Sequence, residues 1–474
     1  MDERELCFLP ALTALEKFRN SQLSPVELLN ALIARSEKVE PSINAFTDLY
    51  FDEALEKAAD AEQRYAKGTA RPLEGLPIAI KDEVAVRGKR STQGSLLLQN
   101  DVSEESGFVV ERLEEAGAII HARTATPEFC LLFQTHSRLW GVTRNPWNLE
   151  MTPGGSSGGS AASLAAGTST LASGSDIGGS IRQPASMCGL VGFMPPYGRN
   201  PEAPPFNLDP YNRQGPLART VADCALMQNV MSGPHPRDIS TVRPKIEIPL
   251  DLDTKLKGWR IAYSIDLGYV EVDPEVVANT LETLEVFRSL GAVVEEVELA
   301  WSTRVDDAAN QSYDFMMGAY IGDIAEGRED QLCDYSRDVM ERSRDVGSRE
   351  FLSMLNRCAE MYDRFGPLME EHELFVCPTT TTTRVKADFN YLTDSIEING
   401  RAIESELSLA MCHPFNMLSR CPVLSVPSGM AENGVPTGVQ LVGRTYDDET
   451  VFRAGAALEA VRPVFGDDRA RPPF

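Results

Sequence analysis

Apolar residues at helical spacing fill the start of the chain and predict two helices there. Ser24 is followed by Pro25, and Glu27 stands three positions after the serine. This order is typical of a capping box with proline at the first helical position. A second, more polar helix is predicted at about 52–67. We therefore expect residues 1–70 to be mainly helical.

Further along, short apolar runs alternate with amphipathic helices. The run 76–80 is apolar and leads into Lys81 and Asp82, as expected for a buried strand whose end reaches a site. A helix, a glycine and a strand follow one another at 109–120 and again at 273–294. This order is typical of layered α/β structure, so we predict an α/β protein.

Composition and charge exclude several classes of function. The 474 residues carry a formal net charge of −25, which repels nucleic acids and anionic membranes, so neither is an expected partner. The nine cysteines are scattered and form no Cys-x-x-Cys pair, as is typical of reduced thiols. No secretory signal pattern opens the chain, and no apolar run approaches the roughly 18–20 residues that span a bilayer. We expect a soluble, cytoplasmic protein.

Two loops rich in glycine and serine carry the candidate chemistry. The first, 152–160, contains Ser156, and the second, 174–182, contains Ser180. Between them the pattern predicts a helix of small residues at 161–166, a stop at Gly167 and a strand at 168–173. About ten residues of helix and about five of strand each cover roughly 15 Å. If the two run in opposite directions, both loops reach the same edge, and the two serines approach each other.

A serine hydroxyl needs a base before it becomes a good nucleophile. Burial can leave a lysine neutral enough for that role, and Lys81 ends an apolar run, although such a lysine is also often a solvated charge. Residues 155–159 formally fit a second pattern, the nucleophile elbow, which requires a histidine base. The polar lead-in argues against the elbow. The histidines open to it are His121, His136, His235, His372 and His413.

The two loops, taken with their flanking motifs, resemble the amidase signature family. The segments that carry the resemblance are 80–82, 143–148, 154–160, 174–185, 188–192, 215–220, 422–427 and 438–443. The resemblance implies one α/β domain over 1–474, a mixed central sheet covered by helices on both faces, and no metal or cofactor. Within it we predict a helical N-terminal segment (1–70), a signature core (71–230), a variable helical insertion (303–375) and a C-terminal return to the core (376–474).

The resemblance also implies a mechanism. Ser180 would be the nucleophile, and Ser156, on a cis peptide bond, would pass its proton to Lys81. Backbone N–H groups would hold the oxyanion, and they belong to Ile177, Gly178 and Gly179. Residues that orient this triad would be Ser157, Asp176 and Arg182. The family commonly has asparagine where this chain has Glu83, which either alters the surroundings of Lys81 or faces solvent.

The variable segments suggest the substrate. An apolar pocket is predicted from residues 130–133, Leu139, Trp140, Tyr313, Phe315, Met316, Met317 and Tyr320, although such residues are also typical of a core. We expect a neutral, fairly hydrophobic amide or carbamate (urethane), cleaved through an acyl-enzyme by a monomer or homodimer. The alternatives are the glutaminase-type A subunit of a tRNA-dependent amidotransferase, an elbow esterase and a non-catalytic binding protein. The 303–375 insertion is either a cap over the pocket or a peripheral layer.

Overall fold

The computed structural model describes residues 2–403, 406–463 and 471–474. Within these ranges, eleven strands form one sheet and four short strands form two separate pairs. The strands are β1 (Phe46–Leu49), β2 (Pro77–Lys81), β3 (Ile119–Thr124), β4 (His136–Ser137), β5 (Gly141–Val142), β6 (Leu171–Ser175), β7 (Val191–Met194), β8 (Gln214–Ala218), β9 (Arg260–Tyr263), β10 (Val293–Glu296), β11 (Leu374–Pro378), β12 (Glu397–Ile398), β13 (Arg401–Ala402), β14 (Val423–Met430) and β15 (Pro436–Val442).

Helices occupy most of the remaining chain. The α-helices are α1 (Glu3–Cys7), α2 (Ala11–Arg19), α3 (Pro25–Ile43), α4 (Phe51–Ala66), α5 (Phe108–Glu115), α6 (Gly158–Ala166), α7 (Arg182–Cys188), α8 (Val221–Met231), α9 (Pro274–Ser289), α10 (Arg304–Tyr313), α11 (Ala319–Ala325), α12 (Asp334–Arg342), α13 (Ser348–Glu371), α14 (His413–Met417) and α15 (Asp448–Val461). A π-helical turn, Asp314–Gly318, joins α10 to α11. In these described ranges no helix is long and apolar enough to cross a membrane.

The large sheet is mixed, with the strand order β1-β3-β2-β6-β8-β7-β14-β15-β11-β9-β10. Strands β3, β2 and β6 run parallel, as do β11, β9 and β10, and the other neighbours are antiparallel. Alternate residues of β2 point to opposite faces, as strand geometry requires. Ile78 and Ile80 join a core cluster with α5, α8 and α15, whereas Ala79 packs with α6 and α7. Helices therefore cover both faces, and the predicted α/β class is confirmed.

The predicted N-terminal helices are confirmed, but the expectation of a mainly helical segment missed a strand. Ser24 Oγ accepts from the N–H groups of Val26 and Glu27 and caps α3. After α3 the chain enters β1, which pairs antiparallel with β3 at the sheet edge. Glu40 accepts the N–H groups of Ala45 and Phe46 across this turn. The strand has no strong apolar alternation of its own, so tertiary pairing decides its conformation.

The predicted unit between the serine loops is confirmed with shifted limits. Helix α6 covers the small residues, and Gly167 ends it with a φ of +75°. The strand then begins at Leu171, a few residues later than predicted. A Cβ at Gly159 would lie 2.4 Å from the backbone nitrogen of Ala125. The small residues therefore let α6 lie directly against the sheet.

Candidate active site

Lys81 lies where three neighbouring segments converge. It is the last residue of β2 and Ser175 is the last residue of β6, and because these strands are parallel neighbours their ends meet at one edge. The buried Lys81 Nζ lies 2.8 Å from Ser156 Oγ and 2.8 Å from Ser175 Oγ. The contact between Lys81 and Ser175 was not predicted, although Ser175 lies in the second serine loop, which was predicted to carry part of the chemistry. The predicted proximity of Lys81 and Ser156 is confirmed.

The two serine loops lie side by side. The Ser157 N–H donates to the Ser180 carbonyl at 3.1 Å, and the Gly155–Ser156 peptide bond is cis. Ser180 is buried, and its hydroxyl has no hydrogen-bond partner in the described part of the chain. The two hydroxyls of Ser156 and Ser180 are not hydrogen-bonded to each other, so the proton relay between them stays a prediction.

A buried ion pair shapes the second loop. Arg182 donates from Nε and Nη2 to the two Asp176 oxygens, each at 2.9 Å. The same carboxylate accepts the N–H groups of Gly179 at 2.8 Å and Ile181 at 3.1 Å. Burial opposes ionisation of Asp176, but Arg182 and these hydrogen bonds outweigh it and lower its pKa to about 2. The pair therefore fixes the loop that carries Ser180.

Asn416, in α14, completes this ion pair and was not predicted. Its Nδ2 donates to Asp176 Oδ1 at 2.8 Å, and its Oδ1 accepts from Arg182 Nη2 at 2.5 Å. It stands 240 residues beyond Asp176, outside every motif that pointed to the site. The contacts of Asn416 with this ion pair are visible only in the tertiary structure.

The predicted oxyanion donors need one correction. The Gly179 N–H already donates to Asp176, so it is not free to bind an oxyanion in this geometry. The N–H groups of Ile177 and Gly178 have no acceptor within the described residues. Gly179 has a φ of +129°, and a Cβ there would lie 2.5 Å from Cys412 Cβ, so the turn requires glycine.

The five histidines all lie in the described ranges, and none hydrogen-bonds to either serine. His121 is buried between the carbonyls of Ile78 and Thr168, and His413 pairs with Asp306 at 2.8 Å. No strand leads into Ser156. Both findings argue against the nucleophile elbow.

A cavity of about 210 Å³ opens beside Ser175, whose hydroxyl contacts Lys81 Nζ. Of the predicted pocket residues, it is lined by Cys130, Leu131, Tyr313, Met317 and Tyr320. Leu139, Trp140, Phe315 and Met316 do not line it, and Leu132 and Phe133 line a neighbouring cavity. Burial raises the pKa of the Cys130 thiol, against the opposing effects of Lys81 and Ser156 beside it. The insertion thus contributes one wall through α10, the π-helical turn and α11.

Glu83 and Tyr313 place polar groups at this cavity, and of the two only Tyr313 was predicted to line it. Glu83 does not face solvent, since its side chain is 14% exposed and its Oε1 lies 3.7 Å from Lys81 Nζ. The Tyr313 hydroxyl lies over Gly178 in the second serine loop, because a Cβ at Gly178 would come within 1.8 Å of it. Tyr313 immediately precedes the π-helical turn, a feature frequent at functional sites.

Known proteins match this chain over almost its whole length. A family model described as Amidase matches residues 27–452. The acylamidase of Rhodococcus erythropolis is 33% identical, with 98% of this chain and 97% of that protein covered. The A subunit of glutamyl-tRNA(Gln) amidotransferase from Geobacter metallireducens is also 33% identical, with 94% and 95% covered. The crystal structure of a bacterial aryl acylamidase of the amidase signature family superposes with a TM-score of 0.91 at 29% identity, covering 96% of each chain.

Proposed function

The protein belongs to the amidase family, and on that premise we propose that it cleaves amide or carbamate C–N bonds with Ser180 as nucleophile. The observation that carries this proposal is the buried Lys81, within hydrogen-bond distance of Ser156 and beside the loop of Ser180. Lys81 is thus placed to accept a proton from Ser156.

The steps follow from these positions. Ser180 Oγ attacks the substrate carbonyl, and its proton passes through Ser156 to Lys81. The resulting oxyanion accepts hydrogen bonds from the N–H groups of Ile177 and Gly178. The C–N bond then breaks, the leaving amine takes the proton back through the same relay, and an acyl-enzyme remains. Water, activated in the same way, releases the acid and restores Ser180.

The residues that line the cavity favour a substrate with an apolar portion. Phe129, Leu131, Ile177 and Met317 line it together with aromatic residues of the insertion. An apolar acyl or amine group would bury its surface there, at about 25 cal/mol for each Å² removed from water. The likeness to an acylamidase and an aryl acylamidase supports amides as the substrates. A glutaminase role is the second candidate, supported by the likeness to the A subunit of the amidotransferase.

Hydrolysis of a small panel by wild-type protein and Ser180→Ala tests the proposal. The panel contains an anilide, an alkyl amide, an aryl carbamate, a p-nitrophenyl ester and glutamine. We expect turnover by wild type and none by Ser180→Ala, with the preferred member separating amide, carbamate and glutamine. Ser163→Ala is the matched control, because that buried serine donates only to the carbonyl of Ser160. Equal rates for wild type and Ser180→Ala would contradict the proposal.

The same panel tests the relay. Lys81→Ala and Ser156→Ala should each lower kcat by about a thousandfold or more, because either change interrupts one path of proton transfer. The double variant should lose little more than the worse single variant, since residues that act as a unit are not additive. Near-normal rates for Ser156→Ala would mean that the proton reaches Lys81 by another route.

A further inference from the structure

Several hydrogen-bond acceptors that line the active-site cavity lack partners among the described residues. Neither Glu83 oxygen, nor Glu202 Oε2, nor Gln214 Oε1 has a hydrogen-bond partner among the described residues. All three side chains line the same cavity. Buried acceptors without partners are uncommon in native proteins and costly, so their clustering needs a cause.

Gln214 shows that this cluster is built into the fold. It begins β8, beside the end of β6, and is only 5% exposed. Its amide oxygen is therefore unpaired within the protein interior and borders the cavity. A group that fills the cavity would supply the missing donor.

Glu202 lacks a positive partner. Its Oε1 accepts the N–H of Ala203 at 3.2 Å, while Oε2 accepts nothing in the described chain. Burial, and after it the negative charge of Glu83, raises the pKa of Glu202 to about 8, against the opposing hydrogen bonds from the Ala203 N–H and the Gln214 side chain. A nearby cation would reverse this effect, because it favours the charged carboxylate.

The rest of the cavity wall supplies no such cation. Among the described residues that line it, none is a lysine, arginine or histidine. Lys81 Nζ approaches Glu83 but is held by Ser156 and Ser175. Nor does the described chain contain a group of three or more His, Cys, Asp or Glu side chains placed to hold a metal ion. An organic cation fits these acceptors best, because an ammonium group presents three donors and one positive charge.

We propose that the substrate carries a protonated amine, which Glu202, Glu83 and Gln214 bind, while its apolar portion lies against the apolar residues of the same cavity. That the bound compound is a substrate rests on the proposed amide hydrolysis. That the site binds an ammonium group does not. An apolar substrate that bears an ammonium group thus replaces the expected neutral one.

Binding of hexylammonium chloride, with 1-hexanol as the matched neutral ligand, tests the site without any turnover. Titration calorimetry on wild type should show at least about tenfold tighter binding of the ammonium compound, the size expected for hydrogen bonds to a charged group. Glu202→Gln should lower that preference at least about fivefold, because it removes the charge and keeps the shape. Glu56→Gln, at an exposed position on α4, is the control and should keep the preference. Equal binding of both ligands to wild type would overturn the inference.

A second arm measures hydrolysis of ω-aminoacyl p-nitroanilides of three to six carbons against straight-chain acyl p-nitroanilides of equal length. The ratio of kcat/KM should favour the ammonium series in wild type and should fall in Glu202→Gln. Turnover that depends on Ser180 without this preference would overturn the cation site and leave the proposed function standing. Selective ammonium binding without turnover of any compound would leave the site standing and contradict the proposed function.

Discussion

At the scale of single residues, the Tyr313 hydroxyl is the contact with the clearest consequence. It lies over Gly178 in the second serine loop, and it has no hydrogen-bond partner within the described residues. A donor in this position would reach the substrate or its oxyanion. We expect Tyr313→Phe to lower kcat/KM about tenfold, the cost of one lost hydrogen bond, with little change in the melting temperature.

Tyr320→Phe is the matched comparison. Tyr320 lines the same cavity, but its hydroxyl already accepts from Gln93 Nε2 at 2.8 Å. Its loss should affect kcat/KM less than the loss of the Tyr313 hydroxyl. Steady-state kinetics and thermal melting of both variants provide the measurement. If Tyr313→Phe retains full activity, its hydroxyl does not contact the reacting group.

Local motifs predicted the residues that lie within the serine loops, but not those that complete the site. The lengths of the helix and strand between the two loops predicted that both loops reach the same edge, and the hydrogen bond from the Ser157 N–H to the Ser180 carbonyl confirms that they lie side by side. Asn416 and Glu202 carry no local signal, because their roles arise only where distant segments pack together. Nor does the local sequence indicate that the Gly179 N–H donates to Asp176.

At the scale of elements, α6 determines how closely the first serine loop approaches the sheet. A Cβ at Gly159 would lie 2.4 to 2.6 Å from backbone atoms of Ala125 and Ala45, which cannot move like side-chain ends. Gly159→Ala should therefore lower the free energy of unfolding by about 3 kcal/mol, a cost typical of overpacking. Urea denaturation provides the measurement.

Gly322→Ala is the control for this prediction. Gly322 lies within α11, and a Cβ there would meet only Met340, at 4.0 Å. Replacing a helical glycine by alanine in open space should stabilise the protein by roughly 0.5–1 kcal/mol. Equal effects of the two substitutions would mean that close packing of α6 does not limit stability.

Amphipathic periodicity predicted the helices and the helix–glycine–strand units, because those signals are local. Strand β1 was missed since its pairing partner, β3, lies more than seventy residues further along the chain. The sequence pattern did not predict the order of the eleven strands either, because it indicates layers of helix and sheet but not which strands are neighbours. The resemblance to the amidase signature family supplied the mixed sheet, and the structure confirms it.

At the scale of the whole molecule, buried carboxyl groups set how stability depends on pH. Burial raises the pKa of Glu40, Glu406 and Glu459 to about 7, and that of Glu202 to about 8, from 4.5. The folded state thus binds more protons than the unfolded state between these values. The stability that these groups contribute is present below pH 4.5 and is lost as pH rises through 7 to 8.

Asp176 has the opposite effect at the acidic end. Its pKa of about 2 lies below the ordinary 3.8, so the stability that it contributes is present above pH 3.8 and is lost as pH falls toward 2. We therefore expect the free energy of unfolding to be greatest at about pH 4 and to decline on both sides. Urea denaturation at a series of pH values measures this profile.

Self-repulsion is the competing cause of a decline at high pH, because the chain carries a net charge of −25. Added salt screens exposed charges but leaves proton binding by buried groups largely unchanged. The decline above about pH 4 should therefore persist in salt, and Glu459→Gln should make it shallower, since that variant removes one buried titrating group. A decline that salt abolishes, or one that Glu459→Gln leaves unaltered, would assign the pH dependence to surface charge instead.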